Sequence, residues 1–150
     1  MFKSLFAKSI TLSPLISSIF SEIEYDYSKE ITFSIQGVYN IYTLENSLKA
    51  WNLPNIEATF SAKYRNNNWF ALSNIFYNSE RQDLLYGETN SLETLRSFVD
   101  INVNGGYHFN DKFTLFLKLN NLLNTNYQRF ANFNTQGFQA LGGVTYKFDF

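Results

Sequence analysis

Cysteine is absent from the 150-residue chain, so there is no disulfide framework and no thiolate to hold a metal, although this leaves the compartment open. A single histidine rules out a His-based metal cluster. Charged residues make up only 17%, low for a soluble domain. They nearly cancel, and a formal net charge of −1 offers no basic surface for nucleic acid. No apolar run approaches the roughly 20 residues of a spanning helix. The slightly negative mean hydropathy therefore excludes a helical membrane protein, but not a β-barrel, whose strands are half polar. Proline is scarce too, with 2 residues.

Aromatic residues are abundant at 19%, with 16 Phe and 10 Tyr, which favours β structure. They are also ordered with a period of two. Phe113, Leu115, Leu117 and Leu119 alternate with Thr114, Phe116, Lys118 and Asn120. Ala140, Gly142, Val144, Tyr146, Phe148 and Phe150 alternate with Leu141, Gly143, Thr145, Lys147 and Asp149. Successive side chains leave a strand on opposite faces, so this period predicts strands. The same pattern upstream predicts strands at about Ile19 to Tyr27, Glu30 to Tyr42, Asn55 to Tyr64, Trp69 to Asn78 and Leu95 to Phe109, making about seven in all. The strand from Trp69 is open to two readings, because both Ala71/Ile75/Tyr77 and Phe70/Leu72/Phe76 could form its apolar face.

Connections alternate in length. Ser28-Lys29, Arg65 to Asn68 and Asn110-Asp111 are turn-type links, whereas Thr43 to Pro54, Ser79 to Thr94 and Asn121 to Gln136 are long. Short turns at one end and long loops at the other describe a transmembrane β-barrel, with the turns in the periplasm and the loops outside. Most predicted strands have the 9–11 residues that a tilted strand needs to cross the hydrocarbon. Tyr25, Tyr27, Tyr64, Trp69, Tyr77, Tyr107 and Tyr146 stand at strand ends, where a ring can stay apolar while its polar tip stays wet. The expected fold class is all-β, an antiparallel up-and-down transmembrane barrel. Seven strands cannot close one, so the segment is expected to be part of a larger barrel.

Lys3 and Lys8 precede ITLSPLISSIF, faintly like a signal peptide. Ser13, Pro14, Ser17 and Ser18 break the apolar part, and no A-x-A site follows. Residues 1–15 are therefore read as a severed loop or partial strand, and residues 16–150 as the barrel segment.

The closing stretch carries Asn121, Leu122, Leu123, Asn124 and Tyr127, then a loop, then Tyr146, Phe148 and Phe150. It resembles the C-terminal end of TonB-dependent outer-membrane receptors, closely over about the last quarter of the chain and more loosely upstream. The resemblance implies a C-terminal piece of such a receptor, in the outer membrane of a Gram-negative cell with its C-terminus on the periplasmic side. It implies energy-dependent uptake of a scarce solute in the intact protein. The implied partners are outer-membrane lipid, the barrel-assembly machinery, the upstream strands and plug domain, and TonB through an N-terminal part without a counterpart here. Tyr146, Phe148 and Phe150 would be the residues read by the assembly machinery. Leu141 departs from the family's usual polar residue.

Chemistry-bearing patterns are few. His108 falls on a polar strand face and reads as a wall residue. No Ser lies in a G-x-S-x-G elbow. Glu22, Glu24 and Asp26 form a stripe at period two that reads as a lumen wall rather than an acid/base pair. Gly105-Gly106 and Gly142-Gly143 lie within strands and read as a bend, a bulge or close backbone packing. The expectation is no enzyme and no cofactor or metal. Loops at a scaffold mouth carry most recognition, which makes Tyr86, Asn90, Tyr127, Arg129, Phe130, Asn132 and Phe133 the candidate substrate-facing residues. Two other readings remain. One is a small complete outer-membrane barrel, structural or adhesive. The other is a soluble lipocalin-like barrel, which would bury its apolar face inside.

Overall fold

A computed structural model describes residues 2–12, 16–43, 51–85 and 90–148, with residues 2–12 described by their backbone alone. The strands are β1 (Phe2–Leu12), β2 (Ile16–Asp26), β3 (Ile31–Tyr42), β4 (Ile56–Arg65), β5 (Trp69–Asn78), β6 (Arg81–Leu85), β7 (Ser91–Leu95), β8 (Phe98–His108), β9 (Phe113–Asn120), β10 (Gln128–Phe130), β11 (Phe133–Asn134) and β12 (Gln139–Tyr146). Eight form one antiparallel sheet in the order β1-β2-β3-β4-β5-β8-β9-β12. The pairs β6-β7 and β10-β11 are small separate hairpins.

The main sheet thus has one strand more than the predicted seven. The extra one, β1, lies in the stretch read as a severed loop or partial strand. It pairs with β2 from Phe2↔Tyr25 to Leu12↔Ile16, which gives its backbone groups the partners an isolated segment would lack. Two long loops also contain strands of their own. The predicted strand from Leu95 is interrupted: Leu95 ends β7 and Phe98 begins β8. The last strand ends at Tyr146; Phe148 follows outside it, and Phe150 lies outside the described residues.

Register assigns the faces, because directly opposed residues in an antiparallel pair share one. One row runs Ile23↔Ile35↔Phe60↔Ile75↔Ile101 across β2, β3, β4, β5 and β8. Another runs Tyr64↔Ala71↔Gly105↔Leu117↔Gly142 across β4, β5, β8, β9 and β12. These rows settle the ambiguous strand. Trp69, Ala71, Ile75 and Tyr77 join the apolar face, while Phe70, Leu72 and Phe76 oppose Gly106, Asn104 and Asp100 on the other.

The apolar face is uncovered: Ile35 is 49% exposed, Phe60 39%, Leu117 49% and Val144 59%. Among the described residues the buried hydrophobic ones, Leu95 and Ala131, lie at or in the loop hairpins rather than under the sheet. The arrangement is therefore opposite to that of a lipocalin, which packs its apolar face inside. Aromatic rings gather where the short turns are. Trp69 and Tyr107 lie 4.7 Å apart, Tyr107 and Phe109 4.8 Å, Phe109 and Phe113 5.4 Å, and Tyr146 and Phe148 4.8 Å.

The opposite face is bound together by polar side chains. Ser18 donates to Asn40, Gln36 to Glu22, Thr32 to Asp26 and Ser61 to Asn74. His108 shares a 2.7 Å hydrogen bond with Thr114 and lies against Phe70, as a wall residue would. Gly106 and Gly143 are close-packing positions. A Cβ on Gly106 would sit 2.5 Å from the Phe70 ring, and one on Gly143 would sit 2.7 Å from Phe116.

Candidate functional site

The three long connections meet above the end of the sheet opposite the short turns. The first is tied down at its end. Asn40 donates to the Pro54 carbonyl, Tyr42 to the same oxygen at 2.8 Å, and Asn55 to the Asn40 carbonyl. Its residue Trp51 bridges to Gln82 of β6, and the Asn52 amide donates to the Gln82 carbonyl at 2.6 Å. Asn52 has φ 53°, a left-handed conformation that Asn tolerates better than most residues.

In the third connection the Asn121-to-Tyr127 segment builds its own scaffold. Asn121 is 4% exposed. Its Nδ2 donates to the Thr125 carbonyl at 2.9 Å and the Gln136 carbonyl at 3.0 Å, while its Oδ1 accepts from the Thr125 amide at 3.1 Å. Asn102 of β8 accepts from the Asn121 amide, which ties this scaffold to the sheet. Asn124 Oδ1 accepts from the Phe138 amide at 2.9 Å. Both asparagines have φ 49°. The two Asn residues therefore close the loop on itself, and Tyr127 locks it to the wall. Its ring stacks on Phe98 at 3.9 Å, and its hydroxyl donates to Asp100 Oδ2 at 3.0 Å. Burial pushes the Tyr127 phenol above its usual pKa, and the hydrogen bond to Asp100 adds to the shift.

Between these loops and the sheet lie two adjoining recesses of mixed polar and apolar lining, about 520 and 550 Å³. Both are lined by Asp100, Asn102, Tyr127, Arg129 and Phe130. Phe133, Asn134 and Gln136 extend the second. Side-chain amides, the carboxylates of Glu57 and Asp100, the guanidiniums of Arg81 and Arg129, and aromatic rings can hydrogen-bond and stack on a solute.

No family model and no curated protein matches the chain. Solved structures do. The ferripyoverdine receptor of the Pseudomonas aeruginosa outer membrane, bound to ferripyoverdine, superposes with a TM-score of 0.73 at 10% identity, over 87% of this chain and 19% of that one. The ferric enterobactin receptor of the same organism, as a mutant, gives 0.69 at 12% identity over 89% and 22%. The copper transporter OprC gives 0.70 at 14% identity over 98% and 27%. The fold is that of a TonB-dependent receptor barrel. The chain spans about a fifth to a quarter of the length of these solved proteins, and at such identities the likeness is one of fold.

On this fold the sequence-predicted loop residues separate into groups. Arg129, Phe130 and Phe133 border the recesses, with Phe130 and Phe133 paired across β10-β11 and 55% and 69% exposed. Asn132 supplies the turn between them at φ 66°. Tyr127 borders both recesses too, but its ring and hydroxyl are committed to Phe98 and Asp100. Asn90 is exposed beside β7, away from the recesses, and Tyr86 lies outside the described residues. Sequence reasoning passed over Arg81, Asn52, Asp83, Phe98 and Asp100, which hold the loops together. A lone Arg at the start of a loop hairpin has no periodic signature, although a charge entering a long loop beside Asn and Asp was a usable hint.

Proposed function

We propose that the chain is a segment of the wall of an outer-membrane TonB-dependent receptor, with its long loops outside the cell and its C-terminus on the periplasmic side. The observation that carries this reading is the uncovered apolar face. It runs across all the main-sheet strands with described side chains, gathers aromatic rings at the short-turn end, and backs onto a hydrogen-bonded polar face. In water each buried or exposed Å² of apolar surface is worth about 25 cal/mol, so a face this open needs apolar surroundings. Among the described residues β1 and β12 do not pair with each other. Open edges in hydrocarbon cost several kcal/mol per unsatisfied group, which calls for further strands to complete the wall.

In this reading the polar face contacts water and a plug domain, and lipid meets Ile35, Phe60 and Leu117. The loop recesses take up a scarce solute, which the intact receptor admits with energy passed through TonB. The barrel-assembly machinery reads the closing strand at Tyr146, Phe148 and Phe150. The solved relatives in fold act on ferripyoverdine, ferric enterobactin and copper by their names; the solute here is left at its chemistry, a polar ligand with a surface for aromatic stacking.

The absence of cysteine from these 150 residues leaves the segment free of background thiols, so its topology is testable once any cysteine elsewhere in the receptor is replaced. Asn90→Cys in the full-length receptor should react with a membrane-impermeant maleimide on intact cells, whereas Asn110→Cys should react only after the outer membrane is breached. Labelling of Asn110→Cys on intact cells would show the orientation to be wrong.

A further inference from the structure

The loops converge on one side chain. Arg81 opens β6 and is 7% exposed. Its Nε donates to Asn52 Oδ1 at 2.6 Å, in the first long connection. Its Nη2 donates to the Gln128 carbonyl at 2.5 Å and the Arg129 carbonyl at 3.2 Å, in the third. The guanidinium carbon lies over the Phe98 ring, 5.5 Å from its centroid, and that ring carries Tyr127 on a stacking contact. Two residues along the same strand, Asp83 Oδ2 accepts from the Ala131 amide at 2.7 Å. Successive same-face positions of β6 therefore grip the β10-β11 hairpin, while Gln82 between them holds Asn52.

We propose that Arg81 is a positioning residue that makes the three long loops one mechanical unit, so that Tyr127, Arg129 and Phe130 hold their places at the recesses only while the Asn52 loop is docked. The physical reason is the fork shape of the guanidinium. Its donors point along different edges and reach two loops at once, whereas an ammonium is a point charge that cannot span both sites. Arg81 Nη1 is buried without a hydrogen-bond partner. The node is thus held by its other donors against one unmet donor, which leaves a narrow margin, and losing one arm weakens the rest. The functional purpose of this unit rests on the recognition reading above; its existence does not.

Hydrogen exchange on the full-length receptor in lipid nanodiscs tests the coupling without any solute, so its outcome and that of the recognition reading are separable. Arg81→Met keeps the apolar stem and removes the fork. Exchange should rise about tenfold or more in peptides covering both residues 51–55 and residues 128–135, with residues 98–108 of β8 unchanged. Arg81→Lys should shift both in the same direction by less. Asn52→Ala, which changes a residue of the first loop and removes the acceptor of Arg81 Nε, should also speed exchange at residues 128–135. If Arg81→Met does not fold, Arg81→Lys and Asn52→Ala still decide the matter. A rise confined to one loop, or no rise in either, overturns the proposal.

Discussion

Replacing Asn121 should separate the role of its side chain from that of its backbone. Asn121→Gly keeps access to the left-handed φ of 49° and removes the four side-chain bonds of 2.9, 3.0, 3.1 and 3.3 Å. At about 1 kcal/mol each, that is a loss of roughly 4 kcal/mol in the local stability of the loop, of which glycine regains roughly 1–2 kcal/mol by taking a Cβ out of the left-handed region. Asn121→Ala loses the same bonds and keeps the Cβ that asparagine already carries at this φ, giving about 4 kcal/mol. Asn121→Asp keeps the acceptor for the Thr125 amide but turns a carboxylate oxygen towards the Thr125 and Gln136 carbonyls, at a position 4% exposed. An uncompensated buried charge makes this the most disruptive of the three. The assay is native-state hydrogen exchange at the Phe138 amide, which Asn124 holds and which Asn121 does not touch, so that only loosening of the whole loop moves it. Protection should fall in the order wild type, Gly, Ala, Asp. Unchanged protection in Asn121→Ala would refute the reasoning that this Asn pair builds the loop.

The facing predicts that Phe60→Arg or Leu117→Arg costs roughly 2–4 kcal/mol near the midplane of a bilayer, while Thr59→Arg is tolerated far better. Equal cost on the two faces in folding into bilayers would contradict the register. Deleting residues 146–150 removes the Tyr146↔Phe113 pairing and the bond from the Lys147 amide to the Lys112 carbonyl at 2.9 Å. The deletion should largely abolish folded barrel in the outer membrane, measured by heat-modifiable gel mobility, whereas Phe150→Ala should mainly slow assembly. A deletion that assembles like wild type would mean that the C-terminal strand is not the closing element.

Much of the architecture was legible because it is local. The period of two places Phe113, Leu115, Leu117 and Leu119 on one face without any knowledge of a partner, and short turns alternating with long loops already give an up-and-down order. The Asn121-to-Tyr127 segment stood out in the sequence through its resemblance to a receptor family's closing motif, whereas the left-handed turns at Asn121 and Asn124 emerged only with the fold. What the residues alone left open was whatever depends on a neighbour. In β5 both faces carry large apolar side chains, so its facing follows only from pairing Ile75 with Phe60 and Ile101. Gly106 and Gly143 acquire their purpose from Phe70 and Phe116. Arg81 looked like any loop charge, because its partners stand 29 and 47 residues away. Alternation is a property of one strand, whereas registers, ring-over-glycine contacts and loop clamps join segments far apart in the chain, and only the folded sheet brings them together.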